Sequence, residues 1–543
     1  MPDPVLAVTL DTLRRLVLLA ALLAPVLMPA TVRASSIIVP DASPTIQAAL
    51  NARPDTVLVR AIVYAESPTI FAPVVLKGIP GTLHRPVVTA LNIVPTSGDG
   101  ATIRIEELDP TGPLTIRNNG VRVSIVYFLS RLFGGINDVS PSATTTGITF
   151  RNCLVVGDAS LKVDGDLVFD RCILEDHLTV GDGKCRLVMT HTQFQGKGKG
   201  AAVSTRGGAD ILSASVTDGV VRGYESGFAL SAVNSVEFVN NQVSVCTGRG
   251  IQAVGNLVRV ERNQVDSCGT FGIAATAADS LLVLGNTVSA CEGFGMLAEI
   301  GQRGRIAQNV VWGSGLDGIW LNAAHVTGLL EVVNNTSASN GGSGFLSRCH
   351  VEGRYAFTGN IGAGNQAFGI QWGVPEVTLV RCNDWFENSR GPVQGLAPSA
   401  ADLALDPQFC EQSAGDFQLS ASSPLLDMPP CGLVGALGAG CEATTGVYPP
   451  AGTAFRLDRV GPIPASGPVR IEFELAREAA IELEIFDIQG RLVASPARGA
   501  WPAGRHVVEW SGMVADARAA GGIYLVRYRY PGGEDRRRLI RTR

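Results

Sequence analysis

The sequence predicts an all-β chain, a solenoid of stacked short-strand coils followed by a small β-sandwich, and three observations predict it. First, two columns of residues recur in phase. Asn241, Asn263, Asn286, Asn309, Asn335 and Asn360 repeat at spacings of 22, 23, 23, 26 and 25, and Gly250, Gly272, Gly295, Gly318, Gly344 and Gly369 each follow nine residues later. A period of that length, made of strands only a few residues long, fits coils laid directly on one another. Second, the composition is 46% hydrophobic and 17% charged with 63 Gly, which suits short strands broken by many turns around an ample core. Third, residues 461–543 drop the repeat and alternate apolar with polar residues in VRIEFEL, AIELEIFD and GIYLVRYRY.

Taken in chain order, the N-terminus places Arg14 and Arg15 before an apolar run over residues 16–28, with small residues near Ala30 and Ala34. Residues 1–34 therefore read as a secretory signal peptide cleaved near Ala34, since the run is short and Pro-interrupted for a membrane span. The mature chain is predicted to be secreted or held at the cell surface, with no membrane span. A formal net charge of −5 gives no broad basic surface, and nucleic acid is excluded as a partner.

Within each repeat, a strand-like run such as VEFV or LLVL precedes the Asn, and an apolar residue follows the Gly. Stacking sets equivalent residues about 4.8 Å apart. The Asn then occupies a turn, where its amide can bond the coils above and below and where left-handed geometry is tolerated. Upstream, the same column passes through Cys153, Cys172 and Thr192 and blurs near Ser215, and downstream it reaches Cys382. Eleven positions give a stack of about 48 Å at the strand spacing.

Ahead of the repeats stands DASPTIQAALNARPDTVLVR, in which TIQAALNA suits a short capping helix with Ile46, Ala49 and Leu50 buried. Behind them stands DPQFCEQSAGDFQLSASSPLLD, a closing segment. Together with the repeats, these stretches resemble the right-handed parallel β-helix of pectate-lyase-like secreted proteins, over residues 35–442. After a linker at 443–460, residues 461–543 resemble the immunoglobulin-like C-terminal modules related to the flagellar hook-capping domain and to type IX sorting domains. Phe486, Asp487, Gly490 and Arg491, then Gly504, His506 and Trp510, then Gly522 and Tyr524 carry that likeness, and SGMVADARAAGG departs from it. The resemblance implies contact with a secretion machinery, or a cap or spacer role.

Eleven cysteines in a secreted chain predict disulfides, with at least one thiol left over. Cys246, Cys268 and Cys291 share one column, which reads as small side chains filling a ladder. Cys431–Cys441 is the pair favoured in the loop-like closing sequence.

The β-helix resemblance further implies action on acidic polysaccharides, with Asp clusters for Ca²⁺ and a Lys or His to move a proton. On that basis Asp158, His177 and Lys197, one per successive coil, are the candidate catalytic group. Asp164, Asp166 and Asp170 are the candidate Ca²⁺ ligands. A second patch beside Asn383, made of Asp384, Trp385 and Glu387, would bind sugar by stacking on Trp385. No Gly-x-Ser-x-Gly, His-Glu-x-x-His or phosphate loop is present. The sequence thus points to a secreted β-helix protein binding carbohydrate or extracellular matrix. The alternatives are a polysaccharide lyase or hydrolase and a purely structural surface stalk.

Overall fold

The computed structural model describes residues 36–541 apart from 80–83, 98–99, 119, 141–144, 182, 197–199, 206–210, 324–325, 350–353, 374–378, 396–398, 443–454, 462–467 and 515–516. The predicted signal peptide and most of the predicted linker lie outside the described residues. From Ser36 to Gln394 the chain winds through about 16 coils, each contributing up to three short strands that pair in parallel with the coils before and after. One coil runs through Val123–Phe128 on a first face, Arg131–Leu132 on a second and Ile136–Asp138 on a third. The second face is a 12-stranded sheet from Arg131–Leu132 to Asp384–Phe386. First and third faces merge into one 29-stranded sheet, because Ile251–Glu261 and Phe271–Leu284 run from the third face of one coil into the first face of the next.

Strict alternation fixes what points inward. In Val123–Phe128 the odd-numbered residues are buried, and register places Tyr127, Phe150 and Phe169 on consecutive coils, their rings stacked at 5.1 and 4.9 Å. The N-terminal end is closed by the helix Ile46–Asn51, with Ile46, Ala49 and Leu50 buried as predicted. Thr45 caps it through Ala48 N, and the Glu66 carboxylate accepts from Ile46 N and Gln47 N at 2.9 and 3.1 Å.

The Asn column forms the first turn of every coil in the middle of the stack. Each of its amides is fully buried and joins three coils. Asn286 Nδ2 donates to Val260 O of the preceding coil and to Asn309 Oδ1 of the following one, while its own Oδ1 accepts from Asn263 N and Nδ2. Two details of the predicted ladder are corrected. The left-handed residue is the one before the Asn, as at Asn240, Arg262, Gln308 and Asn334 with φ of 52–57°. Consequently Cys382 (φ 62°) is the left-handed residue of its coil and Asn383 the ladder residue, bonded to Asn360. Upstream, the position read near Ser215 is filled by Gly219, whose N–H donates to Asn241 Oδ1.

The column five residues further on also stacks. It passes Cys246, Cys268 and Cys291, all buried free thiols, and then Ser314. There it becomes a second amide ladder, which the sequence reading missed, through Asn340, Asn365 and Asn388.

Closure at the far end departs from expectation in its placement. Phe409–Glu411, Asp416–Ser420 and Ala439–Cys441 form a small sheet, and the segment carrying them lies along the outer side of the second face. Here outward positions on that face are apolar, Val310, Ala338, Ile361 and Ala363, and Phe417, Leu419, Leu425 and Val434 cover them. Hydrogen bonds from Ala436 N to Thr336 Oγ1 and from Gly435 N to Gly359 O register the segment against the coils. The disulfides are Cys382–Cys431 and Cys410–Cys441, so the favoured Cys431–Cys441 pairing is wrong. Cys431 follows a turn laid against the coils, where Cys382 is its neighbour. Cys441 lies in a strand beside Leu419 and Ser420, within the sheet that contains Cys410.

Beyond the segment 443–454, a three-stranded and a four-stranded antiparallel sheet enclose a core that includes Val469, Ile471, Phe473, Leu483, Val526, Tyr528 and Leu539. The first strand, Arg456–Gly461, falls inside the stretch read as linker.

Candidate functional site: a cleft under the closing segment

The strand Asp384–Phe386 decides what this end of the molecule offers. Period-two alternation on the second face turns Trp385 into the core and leaves Asp384 and Phe386 outward. Trp385 is 3% exposed, packs edge-on against Phe345 at 5.9 Å and donates from Nε1 to Asp402 Oδ2 at 3.1 Å. It offers no face to a sugar, which corrects the predicted role. The aromatic that faces out is its neighbour Phe386.

Phe386 and Phe409 flank a cleft of ≈ 700 Å³ between the second face and the closing segment. Glu387, Asp406, Gln408 and Gln412 supply its polar lining, and the Cys410–Cys441 disulfide contributes to its wall. The amides are held by their neighbours: Ser422 Oγ donates to Gln408 Oε1 at 2.8 Å, and Gln412 Nε2 donates to Ser339 Oγ at 2.7 Å. Phe409 is braced edge-on by Phe417 at 5.0 Å. Of the predicted trio, Glu387 lines the cleft, Trp385 lies inside the core, and Asp384 is buried two residues from Phe386 on the same outward side.

Asp384 is unusual in its own right. Its Oδ1 accepts from Leu405 N at 2.8 Å, whereas Oδ2 has no hydrogen-bond partner among the described residues. Burial pushes its carboxyl up to about 7, opposed by the Leu405 bond and reinforced by the negative charges of Asp406 and Asp402.

Two residues of the predicted catalytic group are described. Asp158 and His177 do stand on adjacent coils, where the pair Ala159 and Leu178 is in register and His177 N donates to Asp158 Oδ1 at 3.3 Å. The His177 ring is taken up by packing. Its Nδ1 lies 2.8 Å from Ala201 O, and Tyr224 meets it edge-on at 5.6 Å. Lys197 lies outside the described residues.

The predicted Ca²⁺ ligands do not converge. Asp166 pairs with Arg186 at 2.6 Å, Asp170 accepts from Thr190 Oγ1 at 3.0 Å, and Asp164 is exposed in a turn. Among the described residues no group of three or more acidic, His or Cys side chains is placed to hold a metal ion. Nor is any described helix long and apolar enough to cross a membrane.

Residues 134–298 and 226–383 match the family model described as the right handed beta helix region. This stretch is a right-handed β-helix. Solved structures similar to the β-helix include a periplasmic alginate epimerase (11% identity, 55% of this chain and 77% of that chain, TM-score 0.33). Tailspike protein 3 of bacteriophage CBA120 is similar at 13% identity, over 66% of this chain and 60% of that one, with a TM-score of 0.35. The A-module of a mannuronan C-5 epimerase from Azotobacter vinelandii is similar at 13% identity, over 67% and 95%, with a TM-score of 0.20. At these values the likenesses carry nothing about ligand or reaction. No curated protein matches the chain.

Proposed function

We propose that this is a secreted or cell-surface β-helix protein that binds carbohydrate in the cleft beneath its closing segment. One observation carries the reading: two half-buried phenylalanines, Phe386 and Phe409, line a cleft of ≈ 700 Å³ whose other lining residues include two carboxylates, two amides and two hydroxyls. A pyranose has apolar C–H faces and a polar rim, and such a cleft offers a partner to both. The signal-like N-terminus supports export, and two disulfides suit an oxidising compartment. Residues 461–543 fit an immunoglobulin-like module that sorts, caps or spaces the β-helix. Removing them separates those roles, since loss of export with folding intact identifies sorting.

A glycan array with and without Ca²⁺ tests the carbohydrate reading. Binding that falls at least tenfold in Gln412→Ala and Glu387→Ala supports it, and hits unaffected by either substitution place the site elsewhere. Release of unsaturated uronate from any bound polysaccharide would move the protein to the lyases.

A further inference from the structure

The cleft also has a charge. Its ionisable lining consists of Glu387 and Asp406, with no Lys, Arg or His. Among the described residues neither carboxylate has an ion-pair partner, and the one hydrogen bond that Asp406 accepts comes from Gln408 N at 2.9 Å. The third acid, Asp384, is fully buried under the same segment, with Oδ2 unpartnered. Some carboxylates elsewhere on the β-helix are matched with cations, as in Lys77–Glu106 at 2.9 Å, Arg131–Asp109 at 2.8 Å and Arg305–Glu331 at 2.8 Å. Two exposed acidic residues on the lining of a phenyl-bearing cleft disfavour an anionic chain and favour a cation.

Resting on the carbohydrate reading above, we propose that the ligand is an amino sugar bearing a free ammonium, bound with its ring against Phe386 and Phe409 and its nitrogen between Glu387 and Asp406. A uronate chain is the ligand that this lining rejects. Charge-assisted bonds from an ammonium to the carboxylates supply the selectivity, and the phenyl faces supply contact that any pyranose shares.

The full-length protein is titrated at mildly acidic pH with four probes: a glucosamine tetramer, its fully N-acetylated counterpart, a galacturonate tetramer and pentalysine. The glucosamine tetramer is expected to bind at least tenfold more tightly than the N-acetylated one. That preference disappears in Glu387→Gln combined with Asp406→Asn, whose fold is checked by melting. Equal binding of both tetramers, or tighter binding of the galacturonate, overturns the amine assignment while leaving the cleft a carbohydrate site. Pentalysine bound as tightly as the glucosamine tetramer overturns the sugar half of the assignment. If none of the three saccharides binds, the amino-sugar assignment falls, and the glycan array alone decides the carbohydrate reading.

Discussion

At Asn286 a single amide serves three coils, so its loss has an effect beyond its own turn. Replacing it with Leu leaves Asn263 N without its acceptor and Val260 O without its amide donor, while the backbone N–H of residue 286 still bonds Asn309 Oδ1. At about 1–3 kcal/mol for each of the two groups stranded, Asn286→Leu is expected to destabilise by about 2–6 kcal/mol. Chemical denaturation measures this, and an unchanged midpoint would rule out the ladder's energetic role. Asp384 makes a prediction about pH. Its pKa is raised to about 7 in the folded chain, so the proton it retains stabilises the fold below the ordinary carboxylate range. That contribution is lost as pH rises from about 4 to 7. Three units correspond to about 4 kcal/mol at most. Asp384→Asn should therefore gain on the wild type as pH rises through this window, and parallel melting curves from pH 4 to 8 would sink the assignment. The Asn column was legible because it repeats without variation. Asp384 and Trp385 were legible as polar and aromatic residues, but a shift of one residue in register exchanges the inside and outside of a strand. Taking Cys382 for the ladder residue was that same one-residue error.

The element that the sequence placed least well is the closing segment. Its composition announced a terminus, yet nothing local says whether such a segment covers the end of a stack or its flank. That choice is made by partners distant in sequence: Val310, Ala338 and Ile361 turn apolar side chains outward where several earlier coils expose polar residues such as Arg131, Gln193 and Gln242. The pairing of the cysteines depends on the same placement. Because Cys382–Cys431 closes a loop of 49 residues, chain entropy assigns it a stabilisation of about 4 kcal/mol. Cys382→Ser with Cys431→Ser should release the segment selectively. Limited proteolysis is expected to cut between residues 399 and 441 while the coils up to residue 360 stay protected, and uniform resistance would mean that packing alone holds the flank. Since the cleft is built from this segment, the same variant should also lose ligand binding.

On the scale of the whole molecule, the β-helix and the C-terminal sheets have separate cores, and residues 35–442 are expected to melt as they do in the full chain. Aggregation of that fragment would show that the cores depend on each other. The repeat made the solenoid readable from sequence, and the change from period to alternation made the second unit readable. A cleft between remote segments has no such periodic signal. One consequence of the ladder reaches beyond the single molecule. Every Asn passes its N–H groups toward the next coil, and the series ends at Asp402 Oδ1, which accepts from Asn383 N and Nδ2 and has no side-chain N–H to hand on. A self-similar stack with an open last rung is a template for pairing with a second copy. A carboxylate at that rung works as a stop. Asp402→Asn keeps the acceptor for Asn383 while giving up the one for Trp385 Nε1, supplies the missing donor and should raise the mass seen by light scattering as concentration increases. Scattering identical to the wild type would leave Asp402 as no more than the final hydrogen-bond acceptor of the column.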